Sequence, residues 1–204
     1  MKKFVIALVS IYMAVACGKK EGHDEHMGHQ AQSASARNYA DSVNAGIIPV
    51  DTLKQSVMRT AMEFIGDNHV HLAYGSPGVR GRTIWGGLVA YDEVWVAGAH
   101  HATSVEFSKD VVVDGKDVPA GKYALFVVPG KTDWIIVINK NWDQHLADEY
   151  SASDDVIRVT VTPEKLNSVT QRLTYAVRNV SDTEGEIVMT WDRIQLHLPF
   201  VNKT

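Results

Sequence analysis

The chain has 204 residues, with 24 acidic against 20 basic side chains and a formal net charge of −4 with histidine neutral. That mild acidity argues against nucleic acid as a partner, because such binding rests on many Lys and Arg contacts to phosphate. A single cysteine excludes an internal disulfide, yet a chain of this length buries enough apolar surface to hold one domain without crosslinks.

Lys2 and Lys3, an apolar run over residues 4–15, and then Ala14-Val15-Ala16-Cys17 have the layout of a bacterial lipoprotein signal. Residues 1–16 are expected to be removed and Cys17, the new first residue, to be acylated. The run is too short for a spanning helix, which needs about 20 apolar residues, so the expected anchor is lipid. Each buried CH₂ of an acyl chain contributes roughly 0.8 kcal/mol, and stable attachment takes more than one chain. Gly18 gives no inner-membrane retention signal of the Asp type, which favours the outer membrane and leaves its face open. With Cys17 lipidated, no thiol remains for catalysis or for zinc.

Residues 17–50 read as a flexible tether. They are polar and lack an apolar period, so they bury too little surface to offset ordering entropy. Within them Gly22-His23-Asp24-Glu25-His26-Met27-Gly28-His29 sets His23, His26 and His29 at three-residue intervals beside two carboxylates and a thioether. That is either a metal-collecting arm of modest affinity or a solvated spacer. Asp41-Ser42-Val43 and Asp51-Thr52-Leu53 fit a short bacterial O-glycosylation pattern, which a motif of this length also meets by chance.

Residues 51–204 are expected to form a single β domain. A short amphipathic helix or turn is expected over 53–60. Thereafter strands dominate. Val70, Leu72 and Tyr74 alternate with His69, His71 and Ala73, and Thr103, Val105 and Phe107 with Ser104, Glu106 and Ser108. Residues 111–118 read as a hairpin around Asp114-Gly115. Residues 123–128 and 134–139 are near-continuous apolar runs, as in buried central strands. Further alternation covers 157–162, 173–177, 187–191 and 194–198. The only later helical candidates are residues 141–150 and the turn at 163–166. Many short strands at even spacing predict an all-β fold, an antiparallel sandwich or barrel-like domain with one or two short helices.

The run Tyr74-Gly75-Ser76-Pro77-Gly78-Val79-Arg80-Gly81-Arg82-Thr83-Ile84-Trp85-Gly86 is distinctive, as are Leu88-Val89-Ala90-Tyr91, Val94-Trp95 and Gly98-Ala99. So are Ala102-Thr103, Phe107-Ser108-Lys109-Asp110 and Pro119-Ala120-Gly121-Lys122-Tyr123-Ala124-Leu125-Phe126. Together they resemble a Bacteroidota lipoprotein family known as domain of unknown function 2911, over about residues 54–200. The resemblance implies an exported, lipid-anchored, mostly β protein. It brings no activity and no set of catalytic residues.

The chemistry-bearing residues are chiefly histidines. His69 and His71 stand two apart on a strand and therefore share a face. With His100, and His101 as a fourth or neighbouring group, they would form a site for Cu(II) or Zn(II), since neutral imidazole suits both. Glu106 is the nearest carboxylate to orient an imidazole. Alternatively the four histidines lie on a solvated strand face and a loop. The expected function is metal binding at the cell envelope. The alternatives are a non-catalytic outer-membrane accessory module contacting protein or glycan, and a metal-dependent hydrolase using an open coordination position. Nucleophilic catalysis has no motif behind it. The glycines around Arg80 and Arg82 fit a turn, with binding of an anion or sugar as the other reading.

Overall fold

A computed structural model describes residues 39–203, so the signal sequence, Cys17, His23, His26 and His29 lie outside the described residues. Among the described residues ten strands make two antiparallel sheets packed face to face. The strands are β1 Val57–Ile65, β2 Asn68–Ser76, β3 Thr103–Phe107, β4 Val111–Val113, β5 Lys116–Val118, β6 Gly121–Val128, β7 Trp134–Asn139, β8 Asp155–Val161, β9 Glu164–Asn179 and β10 Glu184–Asn202. The larger sheet runs β1-β2-β3-β6-β7-β8 and the smaller β5-β4-β10-β9. Period-2 alternation places one apolar set of each strand between the layers. Val70, Leu72, Val105, Phe107, Leu125, Ile136 and Ile138 come from one sheet, and Leu173, Met189, Trp191, Leu196 and Phe200 from the other.

The hairpin over 111–118 forms as expected, with β4 paired to β5 and both Asp114 and Gly115 at positive φ, the turn that matches strand twist. Residues 187–191 and 194–198, read separately in the sequence, are one strand, β10. A bulge at Asp192 (φ 53°) inserts a residue, so Trp191 and Ile194 both face the core although they are three apart.

Three local expectations change. Residues 57–65 are strand rather than helix, because Val57, Arg59, Ala61 and Ile65 face inward while Met58, Thr60, Met62 and Phe64 face outward. Residues 141–150 form turns, not a helix, held by Asn139 and Asn141 side chains. The turn expected at 163–166 is already the start of β9.

Residues 39–44, expected within the tether, also belong to the packed body, whereas Ile47 and Val50 beyond them are exposed. Residues 39–44 are helical, and Ala40 and Val43 are buried. The reason is polar. Asn44 exchanges two hydrogen bonds with the Arg172 backbone, and the Tyr39 hydroxyl donates to Asp51 at 3.1 Å.

The outer face of the large sheet carries a small second core of Val96, Ala102, Ala124, Phe126 and Val137. The loops over 94–102 and 141–150 cover it. Their crossing is hydrogen-bonded, Ala102 N–H to Gln144 O and Leu146 N–H to His100 O. This cover brings the functional candidates to one end of the sandwich.

Candidate functional site

Two loops build the site. The first follows β2 and turns through Pro77, Gly78 and Val79, where Val79 N–H donates to Gln171 O and Leu173 N–H to Pro77 O, tying the turn to β9. The second runs through Trp95, which takes up the ladder position beyond the start of β3 by pairing with Val127. The end of β2 and the second loop touch backbone to backbone at Gly75 and Ala99. A Cβ on Gly75 would overlap the Ala99 carbonyl oxygen, so only glycine permits that approach. Ala97, at φ 51°, is pinned by two buried hydroxyls that donate to its carbonyl, Thr103 at 2.9 Å and Tyr175 at 2.8 Å. Burial, and next the neighbouring Tyr74, push the Tyr175 hydroxyl well above the usual tyrosine range.

Between the loops lies a cavity of about 370 Å³. Its floor includes Trp95 and Trp191, whose rings stack with centroids 5.6 Å apart. Trp85 meets both edge-on and joins them to Trp134. Lys54, Arg80, Arg82 and His100 bring charge or imidazole to the walls, and no carboxylate is among the lining residues. Among the described residues none of Lys54, Arg80 and Arg82 forms an ion pair. Arg82 is held by the turn, since its guanidinium donates to the Val79 carbonyl at 3.2 Å and to the Gly78 carbonyl. Arg80, His100 and Leu146 all line the cavity at positive φ (48°, 70° and 51°). Non-glycine residues held in that region cost on the order of 1–3 kcal/mol each and concentrate at binding sites.

The histidines do not meet. His69 and His71 project from the outer face of β2, where His71 pairs with Met62 of β1 and Glu106 of β3. His101 precedes Thr103, the first residue of β3, so about 10 Å or more of strand separates it from His71 at ~3.3 Å per residue. Its ring instead faces His145, which bonds Asp148 at 3.1 Å. His100 turns to the cavity wall. Among the described residues no group of three or more His, Cys, Asp or Glu is arranged to hold a metal ion. The expected shared centre of His69, His71, His100 and His101 is therefore not formed. His69 and His71 lie on β2 between β1 and β3, whereas His101 bridges to His145 and His100, at φ 70°, lines the cavity. Glu106 is exposed beside His71 and shows no hydrogen bond to it.

Arg80, Arg82 and His100 stand out in the sequence, whereas Lys54, Leu146 and Trp191 carry no motif and reach the cavity only through the fold. Trp191 stands on the inward side of an alternating strand and is a buried core residue, which the fold also places against the cavity. Trp142 is part-exposed as the polar stretch around it suggests, with the Lys122 ammonium 3.6 Å from its ring centre.

Fold and site together define an antiparallel β-sandwich with a basic, tryptophan-floored cavity at one end. The chain belongs to a family described as a protein of unknown function, DUF2911, whose model matches residues 56–200. No curated protein and no solved structure gives a significant match.

Proposed function

We propose that the protein is a non-catalytic binding module of the cell envelope. A lipid on Cys17 holds it to the outer membrane, and the basic cavity takes a small anionic compound with a ring or apolar body. One observation carries the reading. Lys54, Arg80, Arg82 and His100 converge on a cavity that has two tryptophans and no carboxylate in its lining. Unbalanced cations around a concave apolar floor favour an anion, because a guanidinium fits carboxylate or phosphate oxygens in a planar fork. Uronic acids, phosphorylated sugars and aromatic carboxylates share that chemistry, and an acidic glycan end is the matching envelope partner. The anchor rests on the charged, apolar and Ala-Val-Ala-Cys order of the first 17 residues.

Because Trp95 and Trp191 line the cavity, tryptophan fluorescence reports occupancy. Titration with glucuronate, glucose 6-phosphate and benzoate should change the emission saturably, and glucose should not. Absence of binding by all three anions at low salt would end this reading.

The lack of any group of three or more metal-ligating side chains among the described residues speaks against one Cu(II) or Zn(II) centre shared by both histidine pairs, and against a hydrolase built on it. Metal uptake by His23, His26 and His29 stands as a separate proposal, tested by comparing metal content with and without those side chains.

A further inference from the structure

We propose a second site, selective for cuprous ion, on the outer face of β1 and β2, formed by the imidazoles of His69 and His71 and the thioether of Met62. It shares no residue with the basic cavity.

Register brings the three together. Met62 is the direct cross-strand partner of His71, and both side chains leave the outer face. Side chains so paired have Cβ atoms about 4.5–5.5 Å apart, and the diagonal neighbour, here His69, lies roughly 7–8 Å away by backbone. The two imidazole centres stand 6.1 Å apart. With metal–nitrogen bonds of about 2.0–2.1 Å, each ring centre lies roughly 3 Å from a bound ion. Two rings sharing one ion therefore sit up to about 6 Å apart. The planes are only 24° from parallel, so binding needs rotation about χ2, a broad torsion for histidine.

The donors are available. Among the described residues neither His69 nor His71 has a side-chain hydrogen bond, in contrast to His145 and His197. Met62 is 56% exposed, with no apolar burial to account for it. Phe64 lies 4.8 Å from the His69 ring and restricts it from one side. Glu106, across from His71 on the other strand, places a negative charge beside the cation.

The donor set chooses the ion. Two imidazoles and a thioether are a soft, three-coordinate arrangement that suits Cu(I), whereas Zn(II) prefers four harder or thiolate donors.

The test uses the full chain carrying Cys17→Ser, His23→Gln, His26→Gln, Met27→Leu and His29→Gln, which removes the thiol and tether donors. Cu(I) is titrated under reductant against the chromophoric chelator bicinchoninate. The expected result is one Cu(I) per chain, with X-ray absorption showing one sulfur beside two nitrogens. Met62→Leu, a volume-conserving surface change that leaves the fold intact, should weaken uptake at least tenfold and remove the sulfur. His71→Gln should abolish uptake. Met58→Leu is the control, since Met58 shares the strand and face but lies four residues, about 13 Å, away. No uptake by the parent chain, or uptake that Met62→Leu leaves unchanged, overturns the proposal.

Discussion

The Asp51 carboxylate and the Arg172 guanidinium meet at 2.8 Å with both side chains out of solvent. Arg172 also donates to the carbonyls of Gln55 and Ser76, at 3.0 Å each. One cation thus fastens the segment ahead of β1, the end of β2 and β9. The same carboxylate packs on Gly78, a residue of the cavity wall.

Removing one partner leaves the other charge buried and alone, which typically costs about 3–5 kcal/mol. Arg172→Met and Asp51→Asn are each expected to lower stability strongly in urea unfolding. The double variant should cost clearly less than the two together, because it leaves no orphan charge. Additive losses would show that the pair is not coupled.

The contact of Gly75 with the Ala99 carbonyl makes a second expectation. Gly75→Ala forces two backbones apart in a packed region, at a cost of about 1–3 kcal/mol. Because the loop so joined to β2 carries Trp95 and His100, the substitution should also shift tryptophan emission of the folded protein. Gly81→Ala lies in open space but at φ 70°. It should cost only the backbone strain, about 1 kcal/mol, with little change in emission.

Much of the sandwich is legible in the sequence because half-buried strands write their faces into period-2 alternation. Residues 68–74, 103–108 and 134–139 fall on β2, β3 and β7 almost residue for residue. The start of β1 is hidden because its outer face holds Met58, Met62 and Phe64, which blurs the alternation. Residues 39–44 are hidden because their anchoring runs through Asn44 and Arg172, 128 positions apart. The site is half legible for a similar reason. Arg80 and Arg82 announce a basic turn, but their company of Lys54, Trp95 and Trp191 depends on how β2, β6 and β10 are stacked. The histidine pairs mislead because spacing within a strand predicts a shared face and says nothing about which ladder a second pair joins.

Arg80 and Arg82 should separate in function. Arg80 shows no hydrogen bond among the described residues, whereas Arg82 caps two carbonyls of the turn. Arg80→Glu is expected to weaken binding of an anionic probe such as glucuronate more than tenfold without lowering stability. Arg82→Gln should reduce both. Binding to the parent should weaken from 0.1 M to 1 M salt, as the screening length falls from about 10 Å to about 3 Å. Equal affinity for Arg80→Glu and the parent would show that the ligand does not use this wall.

Tyr175 gives the cavity end of the sandwich an alkaline limit. Its hydroxyl is fully buried and donates to Ala97 O, and burial raises its pKa well above 10.0. In the unfolded chain a tyrosine loses its proton near pH ~10. Above that pH the unfolded state therefore holds fewer protons than the native state, and stability falls as pH rises. The contribution is complete below pH ~10 and is progressively lost above it, as the pH climbs towards the raised native value. Tyr175→Phe removes the hydrogen bond and should cost about 0.5–1.5 kcal/mol at pH 8. Urea unfolding at pH 8, 10 and 11 should then show a shallower alkaline decline for Tyr175→Phe than for the parent. Parallel declines would mean that Tyr175 ionises as freely in the folded protein as in the unfolded chain.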